Sequence, residues 1–288
     1  MSQSTPAPAS EQAAAHSPSV TPAAAPAATP TPTQDSATSG RARASVRRTV
    51  ATAGRVLAQL RHDPRTIGLL IIVPCVLLVL LKYVFDAQPR TFDHSGAPLL
   101  GIFPLIVMFL VTSVATLRER SSGTLERLLT MPLAKLDLLL GYALAFGALA
   151  LLQAAVAFGL TLGPLGLHVS GPTWLLFVVA LADGILGTAL GLFVSAFAAT
   201  EFQAVQFLPA FILPQFLLCG LFTPRENMQT VLRWLSDVMP LSYAVDAMNR
   251  LTAQSGVSGL VVRDLIVIAG ITVVALALGA VTLRRRTA

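Results

Sequence analysis

Charge is scarce in this chain: Asp, Glu, Lys and Arg together make up 12% of its 288 residues, about half the share in a soluble domain. A water-exposed surface over most of the molecule is therefore excluded. Lysine is scarcer still. Lys82 and Lys135 are the only two, and neither follows a glycine or precedes a serine or threonine. A phosphate-binding loop needs a lysine in that setting to reach the phosphates, so the chain carries no such loop. The histidines, His16, His62, His94 and His168, stand far apart, with no spacing that would assemble a metal site or a catalytic dyad. Cys75 and Cys219 both fall inside apolar runs, where cysteine behaves as a small hydrophobe, and no disulfide framework follows. No catalytic and no metal-binding residues are expected.

What is present is apolar length. Hydrophobic residues make up 54% of the chain and the mean hydropathy is +0.72. The apolar residues come in runs near the ~20 residues that cross a bilayer as a helix. Six such spans can be drawn, at 67–85, 99–117, 138–162, 174–198, 205–222 and 265–283. Pro74, Pro104, Pro209 and Pro214 fall inside them, as membrane helices tolerate when neighbours satisfy the freed backbone groups. Residues 1–44 are rich in Ala, Pro, Thr and Ser without apolar periodicity, a composition that cannot offset ordering entropy, so this segment is expected to be disordered. It holds no continuous apolar core ahead of a small-residue cleavage site, so a signal peptide is not expected there. From 45 to 61, Val46, Val50, Ala53, Leu57 and Leu60 recur at helical spacing with Arg47, Arg48, Arg55 and Arg61 on other faces. This predicts an interfacial amphipathic helix over 45–64, broken at Asp63-Pro64. The remainder, 65–288, forms the membrane domain.

The formal net charge is +6, yet the arginines cluster between apolar runs and form no single basic face, so nucleic acid is not an expected partner. They read as topology signals. With the N-terminus cytoplasmic, the inner segments hold Arg41, Arg43, Arg47, Arg48, Arg55, Arg61 and Arg65, then Arg118, Arg120, Arg127 and Lys135, then Arg284, Arg285 and Arg286. The outer side keeps only Lys82, Arg90, Arg225, Arg233, Arg250 and Arg263. Both termini are thus expected in the cytoplasm of a multi-pass inner-membrane protein.

The longest charged inner connection runs Arg118-Glu119-Arg120-Ser121-Ser122-Gly123-Thr124-Leu125-Glu126-Arg127-Leu128-Leu129-Thr130-Met131-Pro132. Thr124 can cap a short helix with Leu125, Leu128 and Leu129 on one face, and Pro132 discourages its continuation. So short a helix is not stable alone in water. It can lodge in a partner's groove or lie on the lipid headgroups.

Arg118-Glu119, Gly123-Thr124, Glu126-Arg127 and Pro132 resemble the first cytoplasmic loop of type-2 ATP-binding cassette (ABC) permeases of the drug-exporter class. The resemblance continues through Ser195-Ala196-Phe197-Ala198-Ala199-Thr200-Glu201-Phe202-Gln203-Ala204-Val205-Gln206 and Leu221-Phe222-Thr223-Pro224. It ends in Met239-Pro240-Leu241-Ser242-Tyr243-Ala244-Val245-Asp246-Ala247-Met248, having covered roughly Leu57 to the C-terminus. It implies an all-α membrane subunit that pairs with itself or a sister permease and is driven by two ABC ATPase subunits, which hold the ATP and Mg. The loop from Gly123 to Pro132 would be the coupling helix against the ATPase, and 45–61 the connecting helix. One departure stands out. Such permeases carry a basic residue six positions after the Pro-x-x-Tyr element, but Asn249 is there and Arg250 follows.

Asp183 is the acid well inside a predicted span, ~14 Å along the helix from Trp174 and near the midplane. It can serve as a proton carrier or contact for a cationic substrate, or as an interhelical hydrogen-bond partner. Gly184, Gly187 and Gly191 beside it offer small faces for close packing. Gln203 and Gln206, with Phe202 and Phe207, can line a path for an amphipathic molecule or satisfy contacts between helices. The outer segment at 228–239 places Met228, Val231, Leu232, Leu235, Val238 and Met239 at helical spacing, predicting a helix that lies on the outer surface, dips into it as a re-entrant element, or packs on the spans. The leading expectation is the permease of an ATP-driven exporter for a drug-like or lipid-like amphipathic substrate, with lipid-linked glycan as the alternative cargo. An ion-coupled transporter using Asp183, and a membrane scaffold that moves nothing, are the rival classes.

Overall fold

The structure is a computed structural model describing residues 34–122 and 135–282. Gly123, Thr124, Leu125, Glu126, Arg127, Leu128, Leu129 and Pro132, the core of the expected coupling helix, lie outside the described residues. By its contacts the chain divides after Gly40, and the packing below concerns residues from Arg41 on. Among the described residues every regular element is helical: α1 (Gln34–Arg61), α2 (Pro64–Val84), α3 (Pro89–Ser121), α4 (Lys135–Leu162), α5 (Thr173–Ser195), α6 (Glu201–Leu218), a 3₁₀ turn (Arg225–Asn227), α7 (Thr230–Val238), α8 (Pro240–Ala253) and α9 (Gly259–Thr282).

Five of these helices are long and apolar enough to cross a membrane, over Pro64–Val84, Thr91–Ser121, Leu136–Leu162, Thr173–Ser195 and Gly259–Thr282. The sixth expected span, 205–222, corresponds to α6. It has 18 residues and is diluted by Glu201, Gln203, Gln206, Gln215, Pro209 and Pro214, so length and composition alone do not place it with the five. The helices alternate in direction. One end of the bundle gathers α1, the close of α3 and the starts of α4 and α6. The far end gathers the α2–α3 and α4–α5 connections with α7 and α8.

The centre is α5, buried along most of its length. Its packing against α3 explains why glycine recurs there. A Cβ at Gly187 would lie 2.3 Å from the Leu105 carbonyl oxygen, and one at Gly191 2.6 Å from that of Phe109. Any side chain at either position would drive the two backbones apart. Gly184 sits one turn away, where a Cβ would meet Pro104 and Ala150 at 3.2 Å each. The small face expected around Asp183 is therefore the surface on which α3, α4 and α5 meet.

Local signals set the helix ends. Asp63 caps α2, accepting from the Thr66 N–H at 3.2 Å and its hydroxyl at 2.6 Å, with Pro64 in the first turn. These contacts hold the Asp63 carboxyl below its ordinary value. Thr200 caps α6 by accepting from the Gln203 N–H at 3.2 Å, while the Gln203 amide oxygen accepts from the Ala199 N–H at 2.8 Å, a variant of the capping box. Gly220, at φ 94°, turns the chain out of α6 in a conformation other residues rarely adopt. The last carbonyls of α8 are met by the α4–α5 connection, where the Gly171 N–H donates to Leu251 at 2.9 Å and the Ser170 N–H to Thr252 at 3.3 Å.

One helix starts earlier than expected, and a second takes one of the placements left open. α1 begins at Gln34, ahead of residue 45, because no proline interrupts the chain between Pro32 and Pro64. Its docked face is only partly the periodic apolar stripe. Thr52, Ala53 and Val56 are buried, whereas Val46, Val50 and Leu57 stay exposed. Small residues decide this, since Gly141 of α4 approaches so closely that a Cβ there would lie 2.6 Å from Thr52. α7 forms where a helix was expected, and of the placements left open it does not take the one with its apolar face packed on the spans. Val231, Trp234 and Val238 are 76%, 72% and 74% exposed. Inward points Ser236, fully buried, donating to the Leu218 carbonyl at 2.8 Å and 2.9 Å from the Ser242 hydroxyl.

Candidate functional site

At the α1 end, charged side chains tie five helices together on either side of residues 123–134. Arg48 of α1 pairs with Asp137 of α4 at 2.9 Å, and Ser45 donates to the same carboxylate. Arg55 forks onto Glu119 of α3, both legs at 3.3 Å, and donates to the Tyr142 hydroxyl of α4 at 3.1 Å. Arg118 grips Glu201 of α6 through Nε at 2.8 Å and Nη2 at 3.0 Å, and Arg120 donates to the Ser195 carbonyl at the close of α5. The Arg118 hydrogen bond holds the Glu201 carboxyl below its ordinary value. Arg118 and Glu119, both expected to face an ATPase, are thus engaged with α6 and α1.

The far end holds a polar cavity of about 930 Å³ that no local pattern announced. Its acids, Asp93, Glu226, Asp237 and Asp246, are matched in number by Arg225, Arg233, Arg250 and Arg263. Arg225 is the hub. Its side chain is 12% exposed, donates to Asp246 of α8 and Asp237 of α7, and lies 5.6 Å from the Tyr243 ring centre. Burial pushes the Asp246 carboxyl above its ordinary value, against the pull of Arg225 beside it. The His168 N–H donates to Asp93 at 3.0 Å, closing the wall between α3 and the α4–α5 connection. Arg250, shifted by one from the family position, lines this cavity with its Nε buried and unpartnered.

Asp183 lies between the two ends, fully buried, with neither carboxyl oxygen hydrogen-bonded. A Cβ at Gly101 of α3 would meet its Oδ2 at 3.8 Å and Met248 of α8 at 3.2 Å, so the carboxyl occupies the α3–α5–α8 junction. Gln153 of α4 is a second buried side chain with both amide atoms unpartnered, which the sequence reading passed over. Gln203 is occupied as a cap. Gln206 is exposed on α6 beside Phe202 and Val205, so the structure does not bring the two glutamines to Asp183.

Long apolar helices around a glycine-keyed core, with the ion pairs gathered at the two ends, define a polytopic α-helical membrane protein. Its family follows from comparison: the sequence profile of the ABC-2 type transporter family matches residues 48–251. The chain belongs to that family. It is 28% identical over 148 residues, 51% of its length, to the probable multidrug ABC transporter permease YbhR of Escherichia coli, covering 40% of that protein. It is 26% identical over 173 residues, 59% of its length, to the probable multidrug ABC transporter permease YbhS of the same organism, covering 45%. ABC transporter G family member 20 of Dictyostelium discoideum matches at 25% over 139 residues, 48% of this chain and 19% of that protein. The chain therefore spans less than half the length of each of these relatives.

Proposed function

We propose that the protein is the membrane subunit of an ATP-driven exporter, carrying an amphipathic drug-like or lipid-like substrate out of the cytoplasm with energy from separate ABC ATPase subunits. The observation that carries this is the family match together with the belt of Arg48, Arg55, Arg118 and Arg120 that joins α1, α3, α4, α5 and α6 around the 123–134 loop. The α1 end faces the cytoplasm, α6 is the sixth span, and both termini are cytoplasmic. The ATPase, which would hold ATP and Mg, docks on Gly123 to Pro132, and the permease works as a homodimer or with a sister subunit. Support for the orientation comes from the arginine bias. Cargo of the drug-like kind is favoured by the names of the E. coli relatives, with lipid-linked glycan as the alternative.

The experiment is reconstitution with the ATPase. Glu126→Ala and Leu128→Asp should insert normally and hydrolyse ATP without moving substrate; unchanged coupling in both would sink the role of the loop. A second reading, ion-coupled transport, is favoured by one observation, the burial of Asp183 without a partner. It requires export driven by a proton gradient without ATPase and abolished in Asp183→Asn.

A further inference from the structure

A second cavity, of about 400 Å³, opens at the α1 end between α1, α3, α4 and α6, within the size range of small-molecule sites. Its walls are apolar, with Val56 and Leu60 from α1, Leu110, Val111 and Val114 from α3, and Phe146 from α4. The Tyr142 and Phe146 rings stack at 6.4 Å with an interplanar angle of 15°, giving it an aromatic side. The charges that line it are Glu119, Asp63 and Arg118, an excess of one negative charge. They are not equally committed. Arg118 is gripped by Glu201, and Asp63 is spent on the α2 cap. Among the described residues the Glu119 carboxylate is held by Arg55, with both legs at 3.3 Å, longer than the ~2.7–2.9 Å of a strong charge-assisted pair. Glu119 is also the more secluded carboxylate, its side chain 15% exposed, and a cation bound there is screened little by water.

An apolar pocket with an aromatic side and a secluded, loosely held carboxylate is matched by one ligand chemistry. That ligand is a flat or tailed hydrophobic body carrying a delocalised positive charge. We propose that this cavity is a loading site for a lipophilic cation, with Glu119 as its counter-ion and Arg55 as the group the cation displaces. The word loading rests on the exporter reading; the binding does not. Displacing Arg55 also releases its bonds to Glu119 and Tyr142, the link from the middle of α1 to α3 and α4. Occupancy therefore loosens α1 at its centre and leaves the Arg48–Asp137 tie in place.

The test is direct binding of rhodamine 6G to the full chain in phosphatidylcholine nanodiscs, with an uncharged dye of the same ring system as the comparison. Glu119→Gln should weaken binding of the cation about ten-fold or more, and leave the neutral dye unchanged. Arg55→Gln should shift affinity the other way, tightening cation binding several-fold because the competing guanidinium is gone. This opposition of sign is what a purely structural ion pair cannot give, since breaking it from either side would have the same effect. Val114→Trp, which fills the cavity, should abolish binding, with gel filtration showing that the variant is folded. Shifts of the same sign at Glu119 and Arg55, equal binding of charged and neutral dyes, or normal binding in Val114→Trp would each overturn the proposal. So would Val114→Trp releasing co-purified phospholipid while Glu119→Gln binds dye normally, which makes the cavity a lipid pocket. Dye that binds as expected but is never exported with ATPase present overturns the exporter reading and leaves the site standing.

Discussion

The two ends of the bundle use charge in opposite ways. At the α1 end each ion pair joins two helices and several pairs act in parallel, from Arg118–Glu201, largely in water, to Arg48–Asp137, whose carboxylate is buried. At the far end a single guanidinium, Arg225, serves α7, α8 and the turn it sits on, and is almost removed from water. An exposed pair such as Arg118–Glu201 is weak and exchangeable. A buried hub is costly to break, because its loss strands carboxylates in a poorly solvated site. One end is built to change partners, the other to hold a shape.

That contrast can be attacked from its common support downwards. Gly187→Leu should have the largest effect, abolishing recovery of folded protein in detergent, because the side chain has no space against Leu105. Gly270→Ala, with nothing within 4 Å of the added atom, should behave as wild type in the same assay. Arg225→Met comes next, at about 2 kcal/mol, below the value for a fully buried pair since Asp237 stays half exposed. The readouts are a lower unfolding temperature and, with Cys75→Ser as background, faster maleimide labelling of buried Cys219. Thr200→Ala removes the α6 cap and should cost about 1 kcal/mol. Arg118→Ala should be smallest, under about 1 kcal/mol and reduced further by salt, because its side chain and that of Glu201 are 60% and 50% exposed. An Arg118 effect as large as that of Arg225 would erase the distinction between the ends.

What the sequence made legible follows from which properties are local. Apolar runs placed five spans, the Asp63-Pro64 break fell where α2 is capped, and Gly184, Gly187 and Gly191 announced the close packing of α5. Periodicity at 228–239 gave the helix but not its direction. In water an apolar face turns inward, whereas beside a membrane it can turn out, and Ser236 turns in. For α1 periodicity marked an apolar stripe of which Val46, Val50 and Leu57 stay exposed, while the face docked on the bundle is set by the fit of Thr52 against Gly141. The far-end cavity was illegible for another reason. Asp93, His168, Arg225, Asp246 and Arg263 come from distant segments, and only the return of alternating helices to one end brings them together. His94 and His168, read as scattered, both line it.

The glycine contact between α3 and α5 has a mechanical consequence. Where two helices touch through backbone rather than side chains, no rotamers are available to absorb a displacement, and the pair translates as a keyed shaft. α3 extends from Asp93 in the far cavity to Glu119 at the α1 end, about 39 Å at 1.5 Å per residue. A push at one extremity therefore reaches the other with little slack. Whatever shape change the protein performs must be taken up around this shaft, by the more peripheral α2 and α6.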